Sequence, residues 1–98
     1  MQHTFTIAHD HPALPGHFPG NPIVPGVVLL DEIASAFEHL QPGATLTGLP
    51  TTKFLSPLRP GEACTVQFSP GRNGTIKFEC VAGGRAVASG SFSMRDSA

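Results

Sequence analysis

At 98 residues the chain is the size of one small domain, and with 40% hydrophobic residues, seven Phe and no Tyr or Trp it can build one modest core. A net charge of −1 and recurring Val, Leu, Ile and Phe exclude disorder, and no apolar run reaches the ~18 residues of a membrane span. Residues 1–52 hold Asp10, Asp31, Glu32 and Glu38 with no Lys or Arg, while all six Lys and Arg lie from Lys53 onward; neither half has the dense basic stripe of a nucleic-acid binder.

Residues 3–8 (HTFTIA) alternate polar and apolar and read as a short strand. Residues 12–26 contain five prolines and three glycines, which exclude regular structure, yet Leu14, Phe18, Ile23 and Val24 give this stretch apolar anchors. It reads as a stiff, packed loop. From Pro25-Gly26 the pattern changes: residues 27–40 (VVLLDEIASAFEHL) hold no Gly or Pro and read as a helix that stops at Gln41-Pro42-Gly43. Apolar residues cover most of its circumference, so burial on several sides is expected. The exceptions Asp31, Ser35 and Glu38 share one face, bordered by Glu32 and His39.

Beyond the helix the chain reads as sheet. Residues 45–49 and 51–56 lead to a turn at 57–61, and strands at 62–69 and 75–82 flank Asn73-Gly74, a hairpin signal. Gly83-Gly84 turns the chain into residues 85–95, where the opposite parity of Val87 and Phe92 asks for a bulge near Gly90. The sum is one α+β domain over residues 1–98, an antiparallel sheet curled around one helix. A hairpin register centred on its turn sets Cys64 opposite Glu79, leaving the two sulfurs on opposite faces as small buried apolar groups. Met1 is followed by polar residues, with no basic-then-apolar pattern. No signal peptide is therefore expected, and the thiols are expected to be reduced, in the cytoplasm.

Three groups could carry chemistry. His17 lies in the stiff loop. Asp31 sits just over one turn inside the helix, where desolvation would favour its protonated form. Gly26 offers a backbone N–H at the positive end of the helix dipole. Base, acid and oxyanion donor suit proton abstraction beside a carbonyl with loss of a leaving group. A loop His and a helix Asp also serve as capping or salt-bridge residues. His9, Asp10 and His11, with His17, would be the place to look for a metal, but no further ligands stand at suitable spacing, and none is assigned.

The stretch GHFPGNPIVPGVVLLDE at residues 16–32 resembles the signature of the 3-hydroxyacyl-[acyl-carrier-protein] dehydratases, enzymes of the hot-dog fold. GLPTTKFLSPLRPGE, residues 48–62, is similar to that family's second stretch. The resemblance implies that His17 removes a C2 proton, that Asp31 protonates the departing 3-hydroxyl, and that the Gly26 N–H polarises the thioester carbonyl with Val27 N–H as helper. It implies a substrate tunnel drawn from Phe18, Ile23, Val24, Val27, Val28, Phe54 and Leu55, although plain core packing accounts for each as well. It further implies no cofactor beyond the phosphopantetheine arm of acyl carrier protein, and a homodimer or heterodimer in which the His of one subunit faces the acid of the other. Lys53, Arg59 and Arg85, with Arg72 and Arg95, are candidates for meeting the acidic carrier.

The chain departs from the family pattern in three places. It opens at what resembles the second strand, Ser35 stands where Gln is common, and Ala13-Leu14-Pro15 replaces an aromatic-rich run. Short chains of this kind resemble dehydratase-like subunits of aryl-polyene and polyketide-like pathways. The rival readings are a non-catalytic hot-dog partner subunit and an acyl-thioester hydrolase. Glu32, one residue from Asp31, points about 100° away around the helix and cannot share its site.

Overall fold

The computed structural model describes residues 1–8 and 23–96. The elements run β1 (Gln2–Thr6), α1 (Gly26–Leu40), β2 (Ala44–Phe54), β3 (Ala63–Pro70), β4 (Thr75–Ala82) and β5 (Arg85–Asp96). The five strands form one antiparallel sheet in the order β1-β3-β4-β5-β2. The expected α+β plan is therefore present. The two strands expected at 45–49 and 51–56 are a single edge strand, with register shifts between Leu46 and Gly48 and between Gly48 and Thr51. Pro50 is tolerated there because an edge strand need not donate every N–H.

Alternation builds the inner face. Cys64, Val66 and Phe68 on β3, and Ile76, Phe78, Cys80 and Ala82 on β4, point into the core. Against them α1 lays Val28, Leu29, Ile33, Ala36 and Phe37, with the Phe37 and Phe68 rings 5.3 Å apart. Pro25 precedes the helix with φ −60 and ψ 145, and its carbonyl accepts from Val28 and Leu29 N–H, which starts the helix at Gly26. No helix among the described residues is long and apolar enough to cross a membrane.

Three expectations change. The helix buries one face only: Val27, Asp31, Ser35 and Glu38 form an exposed stripe along it in the single chain. Asp31 is therefore exposed in the single chain rather than buried. The β-bulge lies at Val87 on β5, opposite the step from Cys80 to Val81 on β4, rather than at Gly90. Val87 and Ala88 are both buried as a result. Gly90 instead gives room to Phe78, since a Cβ there would lie 2.9 Å from the Phe78 Cζ.

The β3–β4 hairpin also differs from the simple register. Val66 pairs with Cys80 and Pro70 with Ile76, so the hairpin is centred on Asn73. That shift reverses parity and turns Cys64 and Cys80 to the same inward face. Their Cα atoms are 6.5 Å apart, and the sulfurs are paired with each other rather than separated by the sheet.

Candidate active site

The start of α1 and the end of β2 meet around a cavity of ≈ 430 Å³. Ile23, Val24, Gly26 and Leu29 form one wall, and the chain from Phe54 to Leu58 forms the other. The two walls are joined directly: Val24 N–H donates to the Leu58 carbonyl at 2.7 Å. Leu58 and Val24 are buried, which fixes the floor, whereas Phe54 and Leu55 are each 54% exposed at the rim.

Gly26 is the tightest point. A Cβ at that position would fall 2.7 Å from Phe54 Cζ and 3.2 Å from Cε1 and Cε2, so the ring lies against the first helical peptide. Among the described residues, neither Gly26 nor Val27 N–H has a backbone acceptor. A helix start, with N–H groups that lie beyond the helix's own hydrogen bonding and the dipole behind them, suits a carbonyl oxygen that gains negative charge.

Ile23, Val24, Phe54 and Leu55 therefore stand around one cavity. Leu29, Ser56, Pro57 and Leu58 join them without having been anticipated, although Pro57 and Leu58 lie in the quoted second stretch. Val28 belongs to the core instead, and Val27 is 68% exposed on the helix stripe rather than part of the cavity wall. His17 and Phe18 lie outside the described residues, as do His9, Asp10 and His11.

Asp31 and Glu32 diverge as their spacing requires. Asp31 is exposed on the stripe that begins at Val27, beside the helix start. Glu32 is half-buried and lines a separate cleft of ≈ 320 Å³ with His3, Phe5 and His39, toward β1. Only Asp31 shares a face with the helix start.

The candidate docking cations also separate. Lys53 and Arg59 are exposed. The Arg85 guanidinium is engaged within the chain: Nη1 donates to Glu62 Oε2 at 2.9 Å and to the Ala82 carbonyl at 3.1 Å, and Nη2 donates to Glu62 Oε1 at 2.8 Å and to the Pro57 carbonyl at 2.7 Å. Arg85 is thus a structural cation rather than a free docking charge. Its hydrogen bonds, followed by that from Arg59 N–H, hold the Glu62 carboxyl down to about 2 from the usual 4.5.

Comparison with known proteins gives this arrangement relatives. The family model of ApeI-like dehydratases matches residues 1–91. A 3-hydroxyacyl-[acyl-carrier-protein] dehydratase FabZ of Ehrlichia chaffeensis is 36% identical over 82 residues, covering 76% of this chain and 57% of the relative. The FabZ of Psychromonas ingrahamii is 33% identical over 88 residues, covering 78% of this chain and 59% of the relative. The chain thus spans less than three-fifths of the length of these curated relatives. Among solved structures, the dehydratase heterocomplex ApeI:P from Xenorhabdus doucetiae superposes with a TM-score of 0.80 at 21% identity, covering 95% of this chain and 84% of that one. At that identity the likeness speaks for the fold alone, the hot-dog arrangement of a sheet over one helix.

Proposed function

The chain belongs to the ApeI-like dehydratase family, and from this we propose that it dehydrates (3R)-3-hydroxyacyl-[acyl-carrier-protein] to the trans-2-enoyl product, in fatty acid or polyene/polyketide-like biosynthesis. The observation that carries the reading is that the described part of the first signature stretch, 23–32, and the second stretch, 48–62, both contribute walls to one cavity, joined by the Val24–Leu58 hydrogen bond.

In this reading the thioester carbonyl accepts from Gly26 N–H, with Val27 N–H beside it, and the acidity of C2 rises. His17 takes the C2 proton. The C2–H electron pair becomes the C2=C3 double bond as the C3–O bond breaks. Asp31 gives its proton to the departing hydroxyl, which leaves as water, and transfer of the proton on His17 back to Asp31 restores the starting state. No cofactor is needed, because an acid, a base and a carbonyl donor complete the balance. The acyl group arrives on the phosphopantetheine arm of acyl carrier protein, with Lys53 and Arg59 as the exposed cations that meet it. A carrier-borne substrate of this kind puts the reaction in the cytoplasm.

Asp31 lies in solvent in the single chain, so the reading includes a second subunit. The exposed stripe from Val27 to Glu38 lies on the helix that packs beside β2, which among the described residues is an unpaired sheet edge with exposed Leu49 and Phe54. A long, partly apolar edge strand is a surface that proteins cover. A second hot-dog chain there, identical or related, would bring its His17 to this chain's Asp31 and lower the dielectric around both. The solved ApeI:P neighbour, itself a heterocomplex, makes a related partner as natural as a second copy.

The test is mass spectrometry of 3-hydroxyacyl carrier protein incubated with the purified protein. Loss of one water, abolished by His17→Ala, is expected. Release of free carrier thiol would favour a hydrolase instead, and turnover that needs a second hot-dog subunit but survives both His17→Ala and Asp31→Asn in this chain would favour the non-catalytic partner.

A further inference from the structure

The chain from residue 55 to residue 62, whose first half, Leu55 to Leu58, lines the cavity, has no regular structure of its own. It contains Pro57 and Pro60, and Gly61 has φ 87. Its backbone groups must therefore find partners elsewhere. Those at its start go to the beginning of β5. Leu55 and Ser56 N–H donate to the Val87 carbonyl at 2.8 and 3.3 Å, and the Ser56 hydroxyl donates to the Ala86 carbonyl at 2.6 Å. The next carbonyl, Pro57, takes its hydrogen bond from Arg85. The middle of the loop goes to the helix start through Leu58 and Val24, and Gly61 N–H reaches the Ile7 carbonyl at 2.8 Å.

Arg85 ties two points of this segment together, the Pro57 carbonyl and the Glu62 carboxylate. The turn before it also holds it still. Gly83 and Gly84 have φ 57 and 75, a left-handed pair that closes the hairpin tightly and starts β5 at Arg85. A planar guanidinium supplies two parallel bonds to the carboxylate with donors to spare for carbonyls, which an ammonium group cannot reproduce in that geometry.

We infer that the Arg85–Glu62 pair is a positioning device for the active site. It clamps the 55–62 loop to the start of β5 and, through Leu58 and Val24, sets where the first turn of α1 presents its N–H groups. The inference rests on the proposed dehydration for its catalytic consequence, and on hydrogen bonds alone for its structural one. Arg85 and Glu62 touch no substrate. They act through the loop, and a displacement of about 1 Å at a reacting centre is enough to cost ~100-fold in rate.

The experiment has two arms, run on the full chain with Arg85→Ala, Arg85→Lys and Glu62→Gln. Lys77→Ala, an exposed cation on β4, serves as the charge-matched control. In the first arm, amide hydrogen exchange is expected to accelerate at least tenfold at Val24 and Leu55 in Arg85→Ala and Glu62→Gln. Arg85→Lys should be intermediate, with the β3–β4 core amides unchanged. In the second, kcat on 3-hydroxybutyryl carrier protein is expected to fall at least tenfold while KM stays within about twofold. Acceleration spread evenly over the whole chain would reduce the pair to general stabilisation and overturn the inference. So would unchanged exchange at Val24, or local acceleration with an intact kcat. If the wild-type protein has no turnover, alone or with a related hot-dog subunit, the functional reading fails and the exchange arm alone decides the clamp.

Discussion

Gly26→Ala separates stability from chemistry at the tightest point of the site. The added methyl would lie 2.7 Å from Phe54 Cζ, so the ring must withdraw by about 1 Å to regain ordinary contact. Two terms decide the stability. Replacing Gly by Ala in a helix gains roughly 0.5–1 kcal/mol. Moving the ring loses part of its burial; it is already 54% exposed, so at most about half of the roughly 1.5–3 kcal/mol for a buried Phe is at stake. The terms nearly cancel, and a net change within about 1 kcal/mol corresponds to less than ~8 °C in Tm for a domain this size. Turnover should fall about 10- to 100-fold, because the same methyl crowds the N–H groups that receive the carbonyl and displaces the ring that walls the cavity. The assay pairs urea unfolding with turnover of 3-hydroxyacyl carrier protein, and adds the double variant Gly26→Ala/Phe54→Leu, which relieves the contact. Partial recovery of activity in the double variant is expected. A stability loss above about 3 kcal/mol, wild-type turnover in the single variant, or no recovery in the double would each refute the steric argument.

Asp31→Asn should lower turnover by at least about 100-fold with little change in unfolding, while Glu32→Gln, across the helix in the β1 cleft, should spare it; the reverse pattern would move the acid to Glu32. Glu62 gives an acid-side signature. Its carboxyl is depressed from 4.5 to about 2 in the folded chain, so the stability it adds is present above 4.5 and is lost as the pH falls toward 2. The stability difference between wild type and Glu62→Gln should shrink across that window, and a constant gap would contradict it. Thr52 Oγ1 is buried without a hydrogen-bond partner among the described residues. Thr52→Val should therefore leave stability unchanged or raise it by about 1 kcal/mol, and a clear loss in urea unfolding would mean the hydroxyl has a partner.

Much of the sheet was legible because alternation is a local signal. The pattern at Cys64, Val66 and Phe68, answered by Ile76, Phe78 and Cys80, needs only the period of a strand. Register was not legible to the same degree. Centring the hairpin on Asn73 depends on turn geometry that the spacing leaves open, and the difference exchanged the faces of the two cysteines. The bulge was readable as a parity conflict between Val87 and Phe92, but its place depends on which residue the partner strand leaves unpaired. The helix was overcounted for a different reason. Apolar residues such as Val27 show that a surface wants cover, and cannot show whether the cover belongs to the same chain. The same ambiguity led to a desolvated Asp31, which is exposed in this chain. Arg85 read as a docking cation because its partner Glu62 lies 23 residues away, beyond any local pattern.

A dehydration site shared between two chains is revealed by subunit complementation. His17→Ala and Asp31→Asn proteins, each inactive alone, are unfolded, mixed and refolded together, and dehydration of 3-hydroxyacyl carrier protein is measured. Random pairing makes half the dimers mixed, each with one intact site, so recovery of about a quarter of wild-type turnover is predicted. If the wild-type protein refolded in the same way is active and the mixture stays silent, the shared site is contradicted.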